Sequence, residues 1–265
     1  MRNKYKILFG VFLIIFLAAG GFCVYYYTVQ KQKEQVYEEL AEEVKATPTP
    51  SLTAEPAKTP EATEEATPEP TPEVVIPIDF AQLQQRNSDI YAWIQIPDTV
   101  IDYPILQSAA DNTYYLNHTL DKAEGLPGSI YTENINQVDF TDKNTVIYGH
   151  NMNDGSMFGG LHQYVDPAYM EAHPDIYIYT PDHIYTYRVF AAVTYDNRHI
   201  LRSYDCNDEA QFQAFLDSVM SVRNIASHFS SETTATVNDR IITLSTCNSN
   251  SEQRFLVEAV LINEE

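Results

Sequence analysis

A cysteine and an arginine near the C-terminal end of the chain are the side chains best suited to do chemistry together. Cys247 closes the run Thr-Leu-Ser-Thr-Cys at positions 243–247, and Arg254 follows seven residues later. A thiol is a weak nucleophile until it loses its proton, and a nearby cation favours the ionised form. The pair therefore predicts a thiolate nucleophile with a fixed positive charge beside it.

Two β-like segments must position these side chains. Residues 240–244 are rich in β-branched residues, and another apolar run covers residues 255–262. Such runs are typical of buried strands. Because Cys247 follows the first run and Arg254 precedes the second, a short loop between two strands would let them face each other.

The base that such a nucleophile needs would be a histidine, which can pair with a thiolate and protonate a leaving amine. His150 is the best placed because it follows a β-like run, residues 144–148, and so lies at a strand end as Cys247 does. Taken alone, one loop histidine is more often structural than catalytic. A metal site built from His150, Asp154 and His162 is the competing use. Their spacing matches no tight ligand pattern, so we predict neither a metal nor another cofactor.

The pattern of residues 78–265 is mainly β with a few helices. Further strands are predicted at residues 91–96, 100–106, 129–132, 144–148, 175–180 and 184–195, and helices at residues 79–86 and 208–222. Many short strands with few helices indicate a β-barrel or a sandwich.

An uncharged stretch near the N-terminus, residues 7–27, predicts a transmembrane anchor. Its 21 residues would span about 31 Å as a helix, enough to cross a bilayer core. The basic residues among positions 1–6 predict a cytoplasmic N-terminus, with everything after the span outside the cytoplasm. The alternative is a cleaved signal peptide, which the small residues at 18–21 would permit. The length of the apolar run favours an uncleaved, single-pass anchor in the cell membrane.

Two segments follow the predicted anchor. Residues 28–45 have apolar residues at helical spacing among glutamates and predict a stalk helix. Residues 46–77 are rich in Pro, Glu and Thr, a composition that forms no core and favours disordered, extended chain. We interpret this segment as a spacer that lifts a domain covering residues 78–265 off the membrane, or as an uncommitted linker.

The chain is strongly acidic, with a formal net charge of −21. Residues 1–33 contain five Lys and Arg and no Asp or Glu, whereas the rest of the chain carries an excess of Asp and Glu. Without a basic stripe a surface cannot meet a row of phosphates, so the composition argues against nucleic acid as a partner.

The cysteine count points away from a disulfide scaffold, since only Cys206 and Cys247 lie beyond the predicted span that holds Cys23. A bridge between Cys206 and Cys247 is possible by number but would block the nucleophile. We therefore predict that Cys206 is a structural thiol.

Several short segments occur in a consistent order between residues 78 and 262. They are Trp-Ile-Gln-Ile-Pro at 93–97, Ile-Asp-Tyr-Pro at 101–104, Asp-Asn-Thr-Tyr-Tyr-Leu-Asn-His at 111–118, Tyr-Gly-His-Asn-Met at 148–152, Asp-Gly-Ser-Met-Phe at 154–158, and the cysteine motif with Arg254. In this order, behind a membrane anchor, they resemble class B sortases.

The resemblance implies a calcium-independent cysteine transpeptidase on a closed eight-stranded β-barrel with N-terminal helices. Its substrates would be surface proteins that carry a C-terminal sorting signal, cleaved after threonine. The new carboxyl group would be held as a thioester on the cysteine. It would then pass to an amine of the peptidoglycan peptide or of its lipid-linked precursor.

The resemblance also assigns roles by position. Cys247 would be the nucleophile, and His150 would protonate the leaving amine and deprotonate the incoming one. Arg254 would hold the substrate carbonyl or its oxyanion by charge-assisted hydrogen bonds. Four positions match residues that line the signal-peptide groove in the family: Asn112, Leu116, Tyr148 and Ser245.

One departure from the family concerns the position two residues after the cysteine, where some relatives have an acid and this chain has Ser249. The thiolate would then depend on His150 and Arg254, and Asp154 is the acid nearest to His150 in sequence. Two other functions stay open at this stage. One is a thiol protease or hydrolase that uses water as acceptor, and the other is a surface binding module with an inert cysteine.

Overall fold

The computed structural model describes residues 2–46, 74–248 and 250–265. Most of the predicted spacer, and Ser249, lie outside the described residues. The strands are β1 Ile90–Gln95, β2 Asp102–Gln107, β3 Ile130–Thr132, β4 Asn144–Tyr148, β5 Asp175–Tyr179, β6 Ile184–Asp196, β7 His228–Phe229, β8 Ile241–Cys247 and β9 Gln253–Glu264. The helices are α1 Arg2–Ala46, α2 Phe80–Arg86, α3 Pro167–Ala172, α4 Ile200–Ser203 and α5 Glu209–Met220, with 3₁₀ helices at Tyr114–Leu116 and Phe158–Val165.

The strands form one sheet that closes on itself. Its order is β5-β1-β2-β3-β4-β8-β9-β6-β7, and β5 also pairs with β6, so eight strands make a closed barrel with the short β7 added beside β6. Closure removes the free sheet edges that an open sheet of this size would expose. The prediction of a closed eight-stranded barrel is confirmed.

The predicted strands and helices are present in the structure, and their ends differ from the predicted ones by a few residues. The helix predicted at 79–86 begins with Asp79 as its N-cap, because the Asp79 side chain accepts a hydrogen bond from the Gln82 backbone N–H at 2.9 Å. The strand predicted at 240–244 continues to Cys247, which is its last residue.

The 3₁₀ helix Phe158–Val165 was not predicted. Phe158, Leu161 and Tyr164 are fully buried and recur every third residue, which is the period of a 3₁₀ helix. That spacing was a usable signal, although a search for the α-helical period overlooks it.

Helix α5 covers one outer face of the barrel. Its buried side chains pack in one cluster with residues of β6 and β9, among them Phe190, Val193 and Leu256. This packing explains why the helix is amphipathic, since its other face meets solvent.

Helix α1 is continuous from Arg2 to Ala46 and contains a stretch long and apolar enough to cross a membrane, by length and composition. Its C-terminal part packs into the core of the barrel, where Tyr37, Leu40 and Val44 are at most 2% exposed. The folded body therefore includes residues before the expected boundary at residue 78. A stalk helix separate from the domain was expected, but the apolar stripe of α1 is buried against the domain.

Glu258 is a fully buried carboxyl group in the middle of β9. The Thr243 hydroxyl on neighbouring β8 lies 2.8 Å from one of its oxygens. Burial raises the pKa of Glu258 from an ordinary 4.5 to about 8, because the charged form loses its hydration. The folded protein therefore keeps this group protonated at neutral pH.

We expect this carboxyl group to make stability depend on pH. Its folded-state pKa is raised, so the stabilisation is complete below the unfolded value of 4.5 and is lost as the pH rises through about 8. The loss reaches about 1.4 kcal/mol per pH unit within that window. Glu258→Gln removes the ionisation and should flatten the curve, making the variant less sensitive than the parent.

Urea unfolding at a series of pH values, followed by fluorescence of the single tryptophan, Trp93, measures this. Trp93 is fully buried and so reports loss of the core. Parallel stability curves for parent and Glu258→Gln would contradict the expectation.

Candidate active site

The parallel pairing of β4 with β8 brings the predicted histidine and cysteine together. Tyr148 pairs with Ser245 at the carboxyl ends of these strands, and His150 and Cys247 each lie two residues further on. Because side chains of an extended chain alternate between faces, residues two apart point to the same side. His150 and Cys247 therefore lie beside each other at one barrel edge, next to Tyr148 and Ser245.

Backbone contacts fix the two strand ends. The Thr246 hydroxyl donates to the Gly149 carbonyl at 2.8 Å, and the Gly149 N–H donates to the Ser245 carbonyl at 3.2 Å. Gly149 is needed here because a Cβ atom would lie 2.6 Å from the Phe158 ring. These bonds hold Gly149, which precedes His150, close to Thr246, which precedes Cys247.

Cys247 and Arg254 face each other across the antiparallel pair of β8 and β9, where they are direct register partners. Cys247 is exposed and Arg254 is half-buried. The Arg254 guanidinium donates from Nη1 to the carbonyls of Gln253 at 3.0 Å and Ser251 at 3.3 Å. Cys247 and Arg254 are therefore neighbours at the end of this strand pair, and both line one cleft.

A cleft of about 330 Å³ joins these side chains. The predicted residues that line it are Leu116, Tyr148, His150, Ser245, Cys247 and Arg254. Asn112 lies outside that lining, and its side-chain oxygen accepts a hydrogen bond from the Asn134 backbone N–H at 2.8 Å. Its part in the groove stays a prediction.

The orientation of His150 is set by a backbone carbonyl. Its Nε2 lies 2.6 Å from the Leu116 oxygen, which requires Nε2 to carry a hydrogen and leaves Nδ1 as the acceptor of the neutral ring. Asp154 instead accepts from the Ser156 N–H at 3.0 Å and the Ser156 hydroxyl at 2.7 Å. Asp154, the acid nearest to His150 in sequence, therefore accepts hydrogen bonds within its own loop.

Two tyrosines form one wall of the cleft. Tyr131 and Tyr148 stack with ring centroids 5.4 Å apart. Burial, and next the negative charge of Glu133, raise the pKa of both phenols above its usual range. Both rings therefore stay neutral and present an apolar face with a hydroxyl donor.

Two further histidines near the cysteine were not predicted as site residues. His162 approaches the Cys247 carbonyl with Nε2 at 3.1 Å and stacks on Phe255. His199 pairs with the buried carboxyl of Glu133 at 2.8 Å, and both line the cleft. Glu133 and His199 are far apart in sequence and carry no local motif, so only the fold reveals the pair.

This arrangement agrees with the comparisons to known proteins. A family model described as the sortase domain matches residues 94–262, more than half of the chain. The chain belongs to the sortase family, in its class B. Sortases are cysteine transpeptidases that anchor surface proteins, and that activity is the one this chain carries.

The similar proteins and solved structures are also class B sortases. Sortase B of Listeria monocytogenes is 35% identical over 189 residues, covering 70% of this chain and 75% of the relative. Sortase B of Staphylococcus aureus is 31% identical over 186 residues, covering 69% and 74%. A solved sortase B from B. anthracis is 30% identical with a TM-score of 0.68, covering 91% of this chain and 99% of that one.

The close packing at Gly149 yields a prediction for this class B sortase. Gly149→Ala would press a methyl group against the rigid Phe158 ring, and overpacking of this kind costs about 1–3 kcal/mol. We expect the backbone before His150 to shift, with loss of activity and of thermal stability.

Gly155→Ala is the comparison variant, because no atom lies within 4 Å of a Cβ placed there. Its positive φ of 84° adds local strain but no contact with the strand ends. Peptide cleavage and melting temperature of both variants should be measured together. Equal activity in the two variants would contradict the role given to the Gly149 contact.

Proposed function

We propose that Cys247, His150 and Arg254 are the residues that carry out acyl transfer in this sortase. The observation that supports this most directly is the strand register. It pairs Cys247 with Arg254 and places His150 at the matching end of the adjacent parallel strand.

In the proposed acylation, the Cys247 thiolate attacks the carbonyl carbon of the threonine in a sorting signal. The Arg254 guanidinium donates to the oxygen that becomes negative. The His150 imidazolium gives its proton to the leaving amine as the C–N bond breaks. A thioester to Cys247 and a free amine are the products.

In the second half-reaction an amine of the cell-wall peptide, or of its lipid-linked precursor, attacks the thioester. Neutral His150 takes the proton that the amine loses, and the Cys247 thiolate leaves as the new amide forms. The cycle returns both side chains to their starting state. Among solved relatives of similar fold, one is a Staphylococcus aureus sortase B–substrate complex and another is a sortase B complexed with triglycine.

The proposed dyad works without a carboxylate on the histidine. The Leu116 carbonyl orients the ring through Nε2, as a neutral acceptor that adds no charge. An imidazolium is less stabilised by a carbonyl than by a carboxylate, which suits a group that must give its proton to the leaving amine. The strand register places the positive charge of Arg254 next to Cys247.

We also propose that the apolar part of α1 anchors the enzyme, with the barrel on the outer face of the cell membrane. The basic residues before the apolar stretch support this orientation. The substrates would then be surface proteins that reach the same face of the membrane.

Hydrolysis is the second candidate, since Cys247 is exposed to solvent and water could attack the thioester. A screen of candidate signal peptides identifies a cleaved one, and that peptide is then incubated with an amine nucleophile. A ligated product supports transfer, and free acid alone in the presence of amine supports hydrolysis.

Substitution of the nucleophile and of the guanidinium tests the assigned roles. Cys247→Ala should abolish cleavage of the peptide. Arg254→Lys should lower kcat/KM by at least about tenfold, because a point charge cannot reproduce a planar set of donors. Hydrogen bonds to charged groups are worth about 1.5–3 kcal/mol, which sets this scale.

Arg223→Lys is the matched control. Arg223 also donates from Nη1 to two backbone carbonyls of its own segment, those of Met220 and Val222, and does not line the cleft. It should cleave as the parent does. Near-parental turnover of Arg254→Lys would remove the arginine from the mechanism.

The predicted spacer can be tested by shortening it. The Asp79 N–H approaches the Val44 carbonyl at 3.4 Å, so the chain leaves and re-enters the folded body at neighbouring points. Replacing residues 48–72 with a short Gly-Ser linker should therefore keep peptide cleavage and surface-protein attachment in cells. By the dependence of loop closure on length, a fourfold shorter connection changes the closure free energy by only about 1.2 kcal/mol. Loss of cleavage in the shortened enzyme would show that this segment belongs to the active fold.

A further inference from the structure

The loop formed by residues 116–128 packs directly against His150. Its first carbonyl, that of Leu116, holds His150 Nε2 at 2.6 Å. At its other end Gly128 has a φ of 67°, and a Cβ there would lie 2.6 Å from the Leu116 oxygen and 3.1 Å from His150 Cδ2. Both ends of this loop therefore lie beside the histidine ring.

Helix α1 reaches this loop through the hydroxyl of Tyr37. The hydroxyl donates to the Gly128 carbonyl at 2.6 Å and accepts from the Leu120 N–H at 3.0 Å. Tyr37 is 2% exposed, so water cannot replace these bonds. One side chain therefore joins the interior of the loop to the end that touches His150.

The phenol is suited to this position because it keeps its proton. Burial raises the pKa of Tyr37 to about 12, so the hydroxyl remains a donor at physiological pH. It therefore keeps donating to the Gly128 carbonyl.

A second side chain of the same helix meets the same loop. Lys33, one turn before Tyr37, donates from Nζ to the Glu124 carbonyl at 2.6 Å. The helix that carries the membrane-length apolar stretch therefore contacts the loop at three of its backbone groups.

We propose that Tyr37 is a positioning residue for catalysis, which holds His150 in place through Gly128 and the Leu116 carbonyl. The proposal rests on the role proposed above for His150. On this proposal α1 contributes to catalysis through Tyr37, in addition to its packing against the barrel. The helix that continues from the apolar stretch therefore supplies a hydrogen bond to the loop that orients the histidine ring.

Tyr37→Phe is the direct test, carried out on the full chain in phospholipid nanodiscs with the cleaved peptide as probe. The substitution keeps the ring and its packing but removes the hydroxyl. We expect kcat to fall about five- to tenfold, the range that loss of one buried hydrogen bond produces. We expect KM to change less than twofold, because the groove wall formed by the tyrosines is untouched.

Tyr185→Phe is the matched control. Tyr185 is also 2% exposed and also donates to a backbone carbonyl, that of Asp139, at 3.0 Å. It neither lines the cleft nor bonds to the 116–128 loop. It should lose a similar amount of thermal stability while its kcat stays within twofold of the parent. An equal fall of kcat in both variants would overturn the proposal.

Gly128→Ala disturbs the same contact from the loop side and provides a second test. If Tyr37 acts through Gly128, the variant that combines Tyr37→Phe with Gly128→Ala should be no slower than the slower single variant. The reason is that both changes disturb the same contact. Multiplying rate losses would show two independent effects and overturn the proposal.

Cys247→Ala and His150→Ala in the same assay separate this proposal from the function on which it rests. If either keeps parental cleavage, the proposed function fails. If both are inactive while Tyr37→Phe matches the parent, only the positioning role of Tyr37 fails.

Discussion

The parallel pairing of β4 with β8 is the constraint on which the active site depends. Parallel neighbours end at the same edge of a sheet, so the residues that follow Tyr148 and Ser245 must lie side by side. A one-residue slip of either strand would turn its site residue towards the opposite face. The Thr246 bond to the Gly149 carbonyl pins that register at the strand ends.

The two halves of the site have different physical origins. Cys247 and Arg254 belong to consecutive strands, so their pairing follows from a short antiparallel connection. His150 reaches the same edge only because β4 pairs with β8 across a long stretch of chain, since Gly149 and Thr246 are 97 residues apart. The nucleophile and its cation are therefore a local unit, and the histidine is a long-range addition to it.

Helix α1 adds a second long-range constraint. Its buried stripe of Tyr37, Leu40 and Val44 makes the segment before residue 47 part of the same core as the barrel. Packing of an apolar stripe, and not the composition of the chain that follows, decides where the folded body begins. A barrel bound to the helix in this way holds its cleft at a set distance along the helix from the apolar stretch.

The sequence by itself determined the local elements and the chemical candidates. β-branched runs located the strands, an aspartate marked the start of α2, and the cysteine motif with its arginine identified a thiolate site. The sequence did not reveal that the Leu116 carbonyl, not Asp154, orients His150, nor that Glu133 meets His199 in the cleft. It also left α1 outside the domain. Propensity and periodicity act over a few residues, whereas these contacts join segments that only long-range strand pairing and core packing bring together.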